Sequence, residues 1–159
     1  MKKSVKYSGW SWFLTSSMTI LCIVLPIVWY NDGKYEKAIV LAVLLVVMII
    51  LAMLYAPLYV KITDSHIAVR RLLKSRVINI DDIAAVQLCP PTMGAARVCG
   101  SGGWFGYWGW FKERDLGKYF AYYGRSTDCF LVQLKDNRQY VIGCTDAPDV
   151  VESILRYIN

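Results

Sequence analysis

The chain has 159 residues, 56% of them hydrophobic and 14% aromatic, with a formal net charge of +6 and a mean hydropathy of +0.36. That is too apolar for a solvated globule with an ordinary surface, so part of the chain is expected to meet lipid, beside at most one ordinary domain. From residue 60 onward, thirteen Lys and Arg face ten Asp and Glu, a modest excess that argues against a nucleic-acid partner.

Three lysines (Lys2, Lys3, Lys6) precede a charge-free run from Trp10 to Tyr30 with Trp10, Trp12, Trp29 and Tyr30 at its two ends. At about 1.5 Å per residue such a run covers the roughly 30 Å hydrocarbon core, and aromatic rings belong at both interfaces. A cleaved signal peptide would need a small-x-small site, but the bulky, charged "WYNDGKYEKA" follows. A second charge-free run, residues 38–55, ends before Pro57, which disfavours further helix. Only "NDGKYEK" separates the two, so residues 1–56 are predicted to form a transmembrane hairpin with spans of about 10–30 and 38–55. Lys61, Arg70, Arg71, Lys74 and Arg76 follow the second span. The positive-inside rule then places both termini in the cytoplasm of a multi-pass protein of the cell (inner) membrane. Ala38, Ala42, Ala52 and Ala56 form two small-xxx-small pairs, expected to seat the second span on its hairpin partner rather than on another chain.

After Pro57 the apolar period changes from helical to two. Seven short strands are predicted at 58–63, 66–71, 76–80, 83–89, 119–125, 129–135 and 139–144, joined mostly by tight turns, which suits an antiparallel barrel. At the C-terminus Asp146 is a predicted N-cap, with Asp149 completing a capping-box-like pair. Val150, Val151, Ile154, Leu155 and Ile158 make one apolar stripe of a helix expected to close the open end of that barrel.

Between strands four and five lies "CGSGGWFGYWGWF" (99–111), with five glycines and six aromatics in thirteen positions. It lacks the Gly-Lys-Ser/Thr of a phosphate loop, and although it carries Gly100, Gly102, Gly103 and Gly106, it opens no helix of a βαβ unit, so no nucleotide cofactor is expected. Its glycines are expected to shape a long connection between two halves of the barrel. Its rings either complete the core, enter the bilayer interface or dock a partner protein.

The segments "RVINIDDIAAV" (76–86), "RVCGSGGWFGYWGWFKERDLGKYFAYYGR" (97–125) and "YVIGCTDAPDVVESI" (140–154) make residues 56–159 resemble small bacterial membrane-anchored proteins with a pleckstrin-homology-like (PH-like) domain. The resemblance implies an α+β, mainly β fold: the transmembrane hairpin, then a cytoplasmic seven-strand PH-like antiparallel barrel (57–159) capped by a C-terminal amphipathic helix. It implies little about activity, because a fold alone does not give a function. PH domains that bind phosphoinositides pair a first-strand lysine with a basic-x-Arg in the second. Lys61 and Arg70 occupy plausible positions, but Leu72 stands where the next base would fall, and strand alternation puts Arg70 and Arg71 on opposite faces.

Catalytic chemistry has little to draw on. His66 is the one histidine, Asp81 and Asp82 sit in a turn, and five cysteines (Cys22, Cys89, Cys99, Cys129, Cys144) form no CxxC pair, which suits free thiols in a reducing compartment and no zinc set. The chain is therefore read as a non-enzymatic, membrane-anchored interaction module that recruits or steadies a protein partner. Its expected contact surface is Trp104, Phe105, Tyr107, Trp108, Trp110 and Phe111, with Arg97, Lys112, Arg114 and Lys118 as a charged rim. The alternative is binding of membrane lipid headgroups by Lys61, Arg70 and Arg71 together with the aromatic loop.

Overall fold

The computed structural model describes residues 1–92 and 95–158. Two long apolar helices come first, α1 (Gly9–Asn31) and α2 (Tyr35–Tyr55), of 23 and 21 residues. Both are long and apolar enough to cross a membrane. Ser8 caps α1, its Oγ accepting from the Ser11 N–H at 3.1 Å. The helix closes with a Schellman arrangement: Gly33, at φ 78°, donates to the Tyr30 carbonyl and Lys34 to the Trp29 carbonyl. That turn reverses the chain within three residues, and the Tyr30 and Tyr35 rings meet edge to face across it at 4.9 Å. Ala38 and Ala52 are buried and Ala42 half-buried, as expected if α2 packs on its own hairpin partner through small residues. Most large apolar side chains of both helices are exposed.

The residues ahead of α1 do not merely anchor it. Strand β1 (Lys2–Ser4) pairs antiparallel with β2 (Tyr59–Ile62), the first strand after α2, in the register Lys2↔Lys61 and Ser4↔Tyr59. The two ends of the helical hairpin thus meet in one sheet, completed by β3 (His66–Arg70) and β4 (Ser75–Asn79) in the order β1-β2-β3-β4. A 3-10 turn at Ile80–Asp82 carries the chain into a second sheet. This comprises β5 (Ile83–Leu88), β6 (Ala96–Gly103), β7 (Gly106–Glu113), β8 (Gly117–Tyr123), β9 (Cys129–Leu134) and β10 (Gln139–Gly143), in the order β5-β9-β10-β8-β7-β6.

All seven predicted strands are present, but a closed seven-strand antiparallel barrel is not. The described residues form ten strands in two sheets, and β10 runs parallel to β8. Two of the three additional strands, β6 and β7, come from the glycine-aromatic stretch, which is a hairpin rather than a long connection. The third, β1, precedes the helices, where no period-2 pattern of useful length exists.

Side-chain alternation sorts the core. On β9, Phe130 and Val132 face the first sheet and α3 (Ala147–Ile158), joining Val60, Ile67, Val69, Ile142, Val150 and Ile154. Leu131 and Cys129 face the other way, with Tyr119, Tyr123, Val141 and Phe111. Burial on both faces is why β9 reads as a nearly continuous apolar run. Helix α3 presents Val150, Val151 and Ile154 to the core and packs on β5 and β9, closing one end of the sandwich. Asp146 is not an ordinary N-cap: its φ is 55°, and its carboxylate accepts from Lys3 Nζ at 2.6 Å, joining β1 to the start of α3.

Candidate functional site

The glycines of residues 99–111 act in pairs. Gly100 faces Gly109 across the β6–β7 ladder, and a Cβ built on Gly109 would lie 2.2 Å from the Cys99 carbonyl oxygen. Only two residues lacking side chains allow that approach, next to a register shift between Arg97 and Cys99. At the tip, Trp104 and Phe105 connect Gly103 to Gly106. Phe105 adopts φ 53°, uncommon for a bulky residue, and its N–H donates to Thr15 Oγ1 of α1 at 3.0 Å. Trp108 stacks on Tyr55, the last residue of α2, with ring centroids 5.2 Å apart. The hairpin therefore leans on both apolar helices near their ends, and Leu14, Met18, Met48 and Leu51 line a cavity with Trp104 and Trp108.

Strand alternation divides the six aromatics that the sequence left as one group. Tyr107 stacks on Tyr123 at 4.7 Å and Phe111 on Tyr119 at 6.1 Å; Phe111 is only 3% exposed, so it belongs to the core and offers no contact surface. Trp108 and Trp110 share the opposite face with Tyr122 and Phe120. Trp110 meets Phe120 edge to face, and Lys118 Nζ lies 4.7 Å above its ring. Trp104 packs obliquely against Phe105. Arg97, Lys112, Arg114 and Lys118 are exposed but do not form one rim: Arg97 lines the cavity beside Trp104 and Leu14, whereas Lys112, Arg114 and Lys118 lie at or beside the β7–β8 turn, at the end of β7 away from the tip.

The alternative basic trio is not one pocket. Lys61 and Arg70 lie on the same face of the first sheet, the latter donating to Ser75 Oγ at 2.9 Å. Arg71 turns the other way, its guanidinium 5.3 Å from the Tyr55 ring and 5.7 Å from that of Tyr122.

The junction between helices and sheets is hydrogen-bonded throughout. Ser8 N–H donates to the Gly124 carbonyl at 3.1 Å and Val5 N–H to the Leu58 carbonyl at 3.1 Å, while Tyr7 Oη donates to the Pro57 carbonyl at 2.7 Å. Desolvation there pushes the Tyr7 phenol up to about 12. Neither Tyr7 nor Thr15 stands out in the sequence, since nothing local marks a residue whose partner lies on another element.

Two of the thiols and the histidine are held in local contacts. Burial pushes the Cys129 thiol well up and that of Cys144 up to about 12, the reverse of an activated nucleophile. His66 Nδ1 sits 3.1 Å from Thr63 Oγ1 and 3.0 Å from Ser65 Oγ, within its turn. Among the described residues no cluster of His, Cys, Asp and Glu could hold a metal ion.

Two sheets closed by a C-terminal helix follow a pair of helices long and apolar enough to cross a membrane. The bacterial PH domain family model matches residues 58–158, and the chain belongs to that family. No curated protein and no solved structure matches it.

Proposed function

We propose that this chain is a membrane-anchored PH-like interaction module, with both termini in the cytoplasm and α1 and α2 spanning the inner membrane. The aromatic hairpin seats its domain on the cytoplasmic leaflet in a fixed orientation. The observation that carries this reading is the contact of the hairpin tip with α1, through Phe105 N–H and Thr15 Oγ1, beside the stacking of Trp108 on Tyr55. Thr15 is the seventh residue of α1 and Tyr55 the last of α2, so rings packed beside them sit at the depth where amphipathic aromatics are favoured. The exposed Arg97, which lines the cavity beside Leu14 and Met18, then faces headgroups, whereas Lys112, Arg114 and Lys118 lie at the far end of the hairpin. The buried, raised thiols of Cys129 and Cys144 and a turn-bound histidine favour a binding role over an enzymatic one.

The test uses the full chain in nanodiscs with brominated lipids. The Trp104→Phe variant should lose part of the quenchable tryptophan emission seen in the unaltered chain. An identical quenched component in both would remove the hairpin from the bilayer and overturn the seating.

Recruitment of a protein partner is supported by a separate feature. β6 is an edge strand, and its Ala96–Cys99 half is exposed, with Val98 at 58% exposure beside Trp110. Such an edge can accept a further strand from a partner. This reading predicts a co-purifying protein that Trp110→Ala or Val98→Lys releases without unseating the domain.

A further inference from the structure

A second loop reaches the level of the helix ends. β2 starts just after α2 and runs away from it, β3 returns antiparallel, and the β3–β4 turn therefore lies at the helical end of the first sheet. At that turn Leu72 is 53% and Leu73 75% exposed, in a chain whose first sheet otherwise turns its large aliphatic side chains mostly to the core. Leu72 lines a cavity of about 220 Å³ with Tyr7, Met53, Ala56, Leu58 and Phe105, so it lies level with the last turn of α2 and with the tip of the aromatic hairpin.

The charge around this turn has one sign. Arg70, Arg71, Lys74 and Arg76 flank the leucines, and no acidic residue occurs between Ser65 and Ile80. Arg71 is held over the Tyr55 and Tyr122 rings, and its Nε is buried without a hydrogen-bond partner. A buried donor of that kind is costly unless an acceptor reaches it. Two exposed leucines between the exposed Arg70 and Lys74, beside a helix end, form a surface complementary to an anionic leaflet, with apolar tips for the interfacial layer and bases for phosphates.

We propose that the Leu72–Leu73 turn is a second insertion point into the same leaflet, with Arg70 and Lys74 engaging the phosphates of anionic lipid. With the aromatic hairpin it holds the domain at two places, which prevents it from pivoting about either. This rests on the membrane seating proposed above. Position 73 is probed with an environment-sensitive fluorophore on Leu73→Cys in a full chain carrying Cys89→Ser and Cys99→Ser. The control is Asp64→Cys in the same background, at the opposite end of β2 and β3. In nanodiscs containing phosphatidylglycerol, the label at 73 should be blue-shifted and quenched by nitroxide-bearing lipid several-fold more than the label at 64. The excess should fall when phosphatidylcholine replaces the anionic lipid. Equal quenching at 73 and 64, with the Trp104 signal intact, overturns the second insertion point and leaves the seating standing; loss of both signals removes both. A blue shift without lipid quenching means that protein covers the turn, which also overturns the proposal, and quenching indifferent to anionic lipid overturns the role given to the bases.

Discussion

Gly109 illustrates how much of this molecule rests on single positions. Its φ of 118° lies outside what L side chains readily adopt, and an added Cβ would press on the Cys99 carbonyl. Gly109→Ala should therefore cost about 2 kcal/mol or more, through backbone strain and a forced separation of β6 from β7. Urea denaturation of the detergent-solubilised chain measures this, and an unchanged midpoint would show that the hairpin tolerates a wider approach. The density of glycines in residues 99–111 was visible in the sequence. That Gly100 and Gly109 face one another was not, because the pairing depends on a register set by a two-residue tip and a bulge.

At the scale of elements, β1 shows how a three-residue strand is held. Lys3 Nζ meets the Asp146 carboxylate at 2.6 Å, and Thr145 N–H donates to the Ser4 carbonyl at 2.9 Å. The hydrogen bond from Lys3 draws the Asp146 carboxyl below its usual 3.8, and Asp146 in turn raises the Lys3 ammonium above its usual 10.5. A depressed carboxyl contributes stability above its unfolded value and loses it as pH falls through the folded one. A raised ammonium contributes below its unfolded value and loses it as pH rises through the folded one. Protection of the β1 amides from hydrogen exchange should therefore be flat across neutral pH and should decline on the acid side, below the usual carboxyl value. Asp146→Asn should remove that acid dependence while leaving α3 folded. Retention of the dependence in the variant would assign it to another group.

At the scale of the whole molecule, the hydrogen bonds from Val5, Tyr7 and Ser8 to Leu58, Pro57 and Gly124 join helices and sheets without a loose linker. With α1 and α2 spanning the membrane as proposed, the orientation of the helices decides which side carries the domain. Cys99 is exposed on β6, whereas Cys129 and Cys144 are buried with thiols pushed up. In intact cells a membrane-impermeant maleimide should leave the chain unlabelled. After permeabilisation it should modify Cys99 far ahead of Cys129 and Cys144. Labelling of Cys99 from outside intact cells would reverse the proposed topology.

The apolar helices, the seven strands with regular alternation and the stripe of α3 were all legible in the sequence, because each is written in a local period set by burial of one face. Family membership was legible in the same residues. The tertiary structure alone decided which partners those elements choose: β1 with β2 across the whole helical hairpin, β10 in parallel with β8, and Asp146 with Lys3 instead of a helix end. It alone separated Phe111 and Tyr107, which pack inward, from Trp108 on Tyr55, and it brought Leu72 level with Met53. Composition records how apolar a residue is and periodicity which face it takes. Neither records what lies opposite that face, since that depends on contacts between residues far apart in the chain, made only when the sheets close.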